Sequence, residues 1–199
     1  SIRRQRQMCI RDRYMRIPKF GEIKGLCAEA SRQALEMPVY SAGISLYRFG
    51  VRVAGLGNHK ASLLDRGQRD INEHLKALKP NDRVIWVHCA SLGEFEQGRP
   101  LIERLRKEDP EVKILVTFFS PSGYEVRKDY PLADCVCYLP FDTPLRVHRF
   151  LDRVRPEKAI FVKYEIWRNY LHELYRRQIP TYLILSLIHI SEPTRPEPI

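Results

Sequence analysis

The sequence is short of the features that mark secreted, disulfide-stapled or membrane-spanning chains. No apolar run approaches the roughly 20 residues a bilayer-spanning helix needs, and no signal peptide opens the 199 residues. Neither a membrane span nor secretion is expected. Cysteine is scarce: Cys9, Cys27, Cys89, Cys135 and Cys137 are odd in number and contain no CxxC pair. Neither a zinc site nor a disulfide framework is indicated, and reduced thiols are the default. GxGxxG, GxxxxGKS/T and HExxH are all missing, so dinucleotide, P-loop and zincin readings lack support.

Acidic residues are also in deficit, 24 against 34 Lys and Arg, for a net charge of +10. Such a balance ordinarily invites nucleic acid or an anionic membrane. Half of the excess, however, lies in the first sixteen residues, where Arg3, Arg4, Arg6, Arg11, Arg13 and Arg16 face Asp12 alone. Most aromatics sit within apolar runs rather than between basic residues, so nucleic acid is not an expected partner. What is present, 44% hydrophobic and 29% charged residues, fits one globular domain.

Both ends differ from the middle. Residues 1–15 have no apolar periodicity, and residues 185–199 place Pro193, Pro196 and Pro198 close together, which no helix or central strand accommodates. Both read as disordered, and QMCIRDRYM and SLIHISEP resemble translated sequencing adapter rather than native protein. Residues 16–36 are open between a helix and translation upstream of a start at Met37. The domain proper is assigned to residues 37–184.

Within it, Tyr40 to Leu56 reads as a basic amphipathic helix with Arg48 and Arg52 four apart, packed on the domain or lying on a membrane surface. A second helix is predicted over Asp70 to Leu78, ending before Pro80. Short apolar runs then recur at Val84–Cys89, Lys113–Phe119, Cys135–Leu139, Ala159–Val162 and Thr181–Ile184, separated by polar-apolar helical stretches. In the last such helix Ile166, Trp167, Tyr170, Leu171 and Leu174 make one stripe. Unbroken apolar strands between amphipathic helices predict a parallel sheet covered on both faces, a Rossmann-like α/β domain.

Ligands of open parallel sheets bind beyond the strands' carboxyl ends. The loops there carry Ser91, Gly93 and Glu94, then Ser120, Ser122 and Gly123, then Asp142, then Glu165. Asp142, before Thr143 and Pro144, reads as a local helix cap. Ser122 and Gly123 form an ordinary turn or a phosphate-friendly helix start. Glu94 serves equally as capping-box partner of Ser91 or as a catalytic carboxylate. His88 reads as a hydrogen-bonded core histidine, and Cys135 with Cys137 as core. Arg127, Lys128, Lys163 and Arg168 lie near the loop ends as solvated or substrate-facing charges.

The run Trp86 to Glu94, then Pro100-Leu101-Ile102, Thr117 to Gly123, Tyr138 to Asp142 and Glu165 to Asn169 resembles the N-terminal half of 3-deoxy-D-manno-octulosonic acid (Kdo) transferases, closest to the form in Bacteroidetes-like bacteria. The resemblance implies the N-terminal, acceptor domain of a GT-B glycosyltransferase: inverting, without cofactor or metal, moving Kdo from CMP-Kdo to the lipid A precursor at the cytoplasmic face of the inner membrane. It maps the family's general base onto Glu94 and a second functional glutamate onto Glu165. Substrate-binding roles fall to Ser91, Gly93, Ser120, Ser122 and Gly123. Lys163 stands where the family's motif has its first glutamate. By the same resemblance the donor-binding C-terminal Rossmann-like domain is missing, and the chain alone is expected to be inactive. The alternatives are a non-catalytic basic module for nucleic acid or anionic lipid, and a GT-B transferase with another donor.

Overall fold

A computed structural model describes residues 24–163 and 167–184. Helix α1 (Lys24–Ala54) leads through a short turn into α2 (His59–His74), and a 3₁₀ turn (Leu75–Ala77) precedes the sheet. Then β1 (Val84–Cys89), α3 (Leu92–Glu108), β2 (Lys113–Phe118), α4 (Pro121–Arg127), β3 (Cys135–Tyr138), α5 (Pro144–Val154), β4 (Lys158–Val162), α6 (Arg168–Arg176) and β5 (Thr181–Ile184) follow in strict alternation. All neighbouring strands are parallel, in the order β3-β2-β1-β4-β5. The Rossmann-like expectation is borne out. β1, first in the chain, sits at the centre of the sheet.

The apolar strand runs become strands because both faces of the sheet are covered. Trp86, on one face of β1, packs edge-on against Phe150 of α5 and Phe161 of β4 and beside Tyr170 of α6. Cys89, on the other face, meets α3 at Gly98, whose missing Cβ would lie 3.5 Å from its sulfur. Cys135 and Cys137 are both buried in β3, and the Cys135 thiol donates to the His74 carbonyl at 3.3 Å. Ion pairs close the amino-terminal edge: Asp134 joins Arg106 and Lys113, and Arg83 joins Asp109 and Glu157. The carboxyl ends of the strands are thereby left as the open mouth.

The two helices before the sheet depart from the predicted spans. α1 runs continuously through Pro38, although a proline interior to a helix removes one backbone hydrogen bond. α2 begins at His59 rather than Asp70, because Asn58 caps it: its Oδ1 accepts from the Lys60 and Ala61 amides at 2.9 and 3.3 Å. Gly67 is required inside α2. A Cβ there would stand 2.2 Å from the buried Tyr138 ring. The last helix starts at Arg168, so Trp167 is its cap rather than part of its stripe; Tyr170 and Leu174 are fully buried. Ile166 lies outside the described residues, as do residues 1–23 and 185–199.

Candidate active site

The loop after β1 turns at once into α3. Ser91, with extended backbone, is the N-cap, and Glu94 is the third helical residue. Glu94 folds back over the turn, its Oε2 accepting from the Ala90 amide at 2.6 Å and the Ser91 amide at 3.3 Å. This is the glutamate half of a capping box, and it fixes the carboxylate at the positive end of the helix dipole. Glu94 as a whole is 9% exposed. Its second oxygen, Oε1, has no hydrogen-bond partner among the described residues. Gly93 has an ordinary helical backbone, and a Cβ on it would meet nothing within 4 Å. No tight turn demands glycine there, and the bare first turn leaves open space beside Glu94.

The loop after β2 is tied directly to this turn. The Ala90 carbonyl accepts from the Ser120 amide at 2.7 Å and the Phe119 amide at 3.3 Å, so Ala90 bonds Glu94 through its nitrogen and the second loop through its oxygen. Ser120 caps α4, accepting from the Ser122 amide at 3.3 Å, and the two hydroxyls are 2.9 Å apart. Gly123 is buried where α4 meets the start of α3: a Cβ would lie 2.4 Å from the Phe118 ring and 3.0 Å from the Leu92 nitrogen. Ser91, Glu94, Ser120, Ser122 and Gly123 therefore form one mouth, with a carboxylate and a pair of hydroxyls on adjacent turns.

Asp142 does not do what its neighbours predict. Thr143 is the N-cap of α5 and makes no side-chain cap bond. The fully buried Asp142 carboxylate instead caps α6, accepting from the Asn169 amide at 3.2 Å and the Tyr170 amide at 3.1 Å, and also accepts the Tyr40 hydroxyl of α1 at 2.7 Å. A partner 27 residues downstream cannot be read from local spacing. Lys163, immediately after β4, holds a left-handed backbone (φ 65°), an uncommon conformation for a residue with a side chain. Glu165 lies outside the described residues.

Residues 67–189 match the family model described as 3-deoxy-D-manno-octulosonic-acid transferase (kdotransferase). The chain belongs to the Kdo transferase family. Among curated relatives, it is 38% identical over 103 residues to the 3-deoxy-D-manno-octulosonic acid transferase of Haemophilus influenzae, covering 51% of this chain and 24% of that one. It is 38% identical over 93 residues to that of Aquifex aeolicus (46% and 26%). It is also 34% identical over 97 residues to a probable mitochondrial 3-deoxy-D-manno-octulosonic acid transferase of Arabidopsis thaliana (48% and 22%). The chain thus spans about a quarter of these relatives' length.

In this Kdo transferase domain the basic residues near the mouth are mostly engaged. Arg127 pairs with Glu96 at 2.6 Å and lies over the Phe95 ring, Lys128 pairs with Glu125, and Arg168 lies over the Tyr40 ring. His88 is a core histidine, but in a network the sequence did not reveal. The Trp86 indole donates to Thr117 Oγ1 at 2.8 Å, and His88 Nδ1 lies 2.9 Å from the same oxygen. Burial pushes His88 down to about 3, against a smaller opposing effect of its bond to Thr117, so the ring is neutral. With Trp86 donating to Thr117, the Thr117 hydroxyl can donate to Nδ1, which puts the ring proton on Nε2, a buried atom with no hydrogen-bond partner among the described residues.

Proposed function

We propose that this domain is the acceptor side of an inverting GT-B glycosyltransferase that moves Kdo from CMP-Kdo to the lipid A precursor, a step of lipopolysaccharide biosynthesis. The observation that carries the reading is the placement of Glu94, with one carboxylate oxygen pinned by two backbone amides beside an uncovered helix turn, in a chain of the Kdo transferase family.

A sugar hydroxyl is a poor nucleophile. Glu94 accepts its proton as the acceptor oxygen bonds to the anomeric carbon of Kdo; the bond from that carbon to the phosphate oxygen breaks, its electron pair leaves with CMP, and the configuration inverts. A carboxylate so placed contributes about 10² to 10⁴ in rate. Pinning Oε2 limits the orientations from which Oε1 can act. The hydroxyls of Ser120 and Ser122, with the turn at Gly93, line the acceptor's approach, and Glu165 is the second functional glutamate.

The reaction takes place at the cytoplasmic face of the inner membrane, on whose surface α1 lies. Val39, Leu46, Phe49, Val53 and Leu56 of α1 and its following turn are all at least half exposed, with Arg48 and Arg52 exposed between them. That combination suits an interface of acyl chains and anionic headgroups. No helix among the described residues is long and apolar enough to cross a membrane. The test is transfer of labelled Kdo from CMP-Kdo to a lipid A precursor by a full-length transferase carrying residues 37–184. A product with the donor's anomeric configuration retained, or no product, would refute the reading.

A further inference from the structure

The loop after β3 supplies a fully buried carboxylate that bonds neither of the helices beside it in sequence. Asp142 accepts three donors, the Tyr40 hydroxyl and the Asn169 and Tyr170 amides. Its carbonyl takes a fourth, from the Asn169 side chain at 2.6 Å, and that same amide group reaches Ser41 Oγ at 3.4 Å. The Tyr170 hydroxyl donates to the Pro140 carbonyl at 3.0 Å, so the first turn of α6 is bonded at several points to residues 140–142. α1 and α6 share no strand and no short connection; Asp142 bridges them, beside the direct contacts of Asn169 with Ser41 and of Arg168 with the Tyr40 ring.

From there packed rings lead to the mouth. Trp167, immediately before α6, lies 4.8 Å from Phe119, whose amide donates to the Ala90 carbonyl on the other side of which Glu94 is held. α1 touches the same ring, with Tyr47 stacked 6.4 Å from Phe119 and edge-on to Phe141 at 6.0 Å. Helix α1 is therefore fastened at two points to the rim of the candidate site.

We infer that Asp142 is a positioning residue for the transfer reaction: through Tyr40 and the first turn of α6 it fixes α1 and Trp167 relative to the turn that carries Glu94. The inference rests on the functional reading above. An acceptor held at the outer face of α1 has to present its hydroxyl to Glu94, and the angle between helix and site decides whether it arrives. Burial raises the pKa of the Asp142 carboxyl, while the donors converging on it favour the ionised form. An aspartate tolerated at complete burial only by virtue of these partners is poorly explained as a solubilising or purely local group.

The experiment compares Asp142→Asn, which keeps the shape and one acceptor, with Tyr40→Phe, which removes only the hydrogen bond from α1 to Asp142. In the 199-residue chain, Asp142→Asn speeds amide exchange of Asn169 and Tyr170 at least tenfold and leaves the β1 amides unchanged. In a full-length transferase carrying this segment, it lowers kcat at least tenfold, with KM for the acceptor within threefold, at a temperature where circular dichroism shows the protein folded. Tyr40→Phe lowers kcat several-fold with no change in exchange at β1. Unchanged kcat in both folded variants overturns the inference, as does a loss of activity that matches the unfolded fraction or faster exchange throughout the sheet. A wild-type transferase inert toward CMP-Kdo would refute the functional reading instead; the exchange data alone then decide whether Asp142 holds the two helices together.

Discussion

At the scale of single residues, capping and catalysis are compatible in Glu94 because they use different oxygens. Glu94→Gln keeps the size and one carbonyl acceptor for the Ala90 and Ser91 amides, so the fold should survive; the basic carboxylate is lost. In a full-length transferase carrying this segment we expect turnover to fall by about 10² or more with acceptor binding little changed. Activity within a few-fold of wild type, or joint collapse of stability and activity, would assign Glu94 to capping alone.

His88 makes a different kind of prediction. Its folded pKa, about 3, lies below the ordinary 6.5, so between those values the unfolded chain binds a proton that the folded chain does not. Stability is unaffected above pH 6.5 and falls as the pH drops below it, by up to about 1.4 kcal/mol per pH unit from this residue. Denaturation midpoints between pH 6.5 and 5, where few carboxylates titrate, should decline more steeply in the wild type than in His88→Gln. Equal slopes would mean that water reaches the ring.

At the scale of elements, glycine and left-handed residues reverse ordinary expectations. Gly67→Ala ought to stabilise a helix by propensity, yet the new methyl group would overlap the buried Tyr138 ring. We expect a net loss of about 1–3 kcal/mol, read as a lower denaturant midpoint. Gln178 is the converse. With φ 56°, it occupies the position after α6 that glycine usually fills: its amide bonds to the Tyr175 carbonyl and that of Ile179 to Leu174, as in a Schellman end. Gln178→Gly should raise stability by about 1 kcal/mol, reduced somewhat by the greater freedom of glycine in the unfolded chain.

The same elements show what was legible beforehand. All five strands were placed to within a residue or two, since a strand buried on both faces writes its whole length as apolar sequence. α1 and α2 extend beyond the predicted Tyr40–Leu56 and Asp70–Leu78 at their amino-terminal ends; the Asn58 cap and the close packing of Gly67 on Tyr138 that define α2 depend on the fold. Within the site, Ser91, Glu94, Ser120 and Gly123 stood out because loops at strand ends are few and chemically distinctive. That Ala90 joins their two turns through its own backbone was invisible, since a backbone bond leaves no mark on residue type. Asp142 was assigned the wrong helix for a related reason: a capping aspartate signals that some amides are near, and only the fold says whose.

At the scale of the whole molecule, α1 is two-faced. Tyr40, Ile44, Tyr47 and Val51 meet the domain, and the opposite side exposes its apolar stripe among arginines. Replacing both Leu46 and Phe49 by glutamate should leave the melting temperature nearly unchanged, because both are exposed, and weaken sedimentation with vesicles containing anionic lipid at least tenfold. Retained binding would move the membrane-facing surface elsewhere. Raised salt should weaken wild-type binding only in part, since apolar burial is not screened.

The central position of β1 also governs the order in which a nascent chain can complete itself. β1, β2 and β3 extend the sheet in one direction, and β4 then returns to the uncovered side of β1, about 70 residues after β1 ends. At about 5–20 residues per second, a ribosome takes roughly 4–14 s to supply that strand, long after β1 and β2 could pair. Throughout that interval a strand buried along its whole length in the finished fold shows a bare edge, a template for pairing with another chain. Polypeptides halted between residues 120 and 157 are thus the species in which chaperone demand and aggregation should be greatest, and the arrival of Lys158–Val162 is the event that ends the exposure.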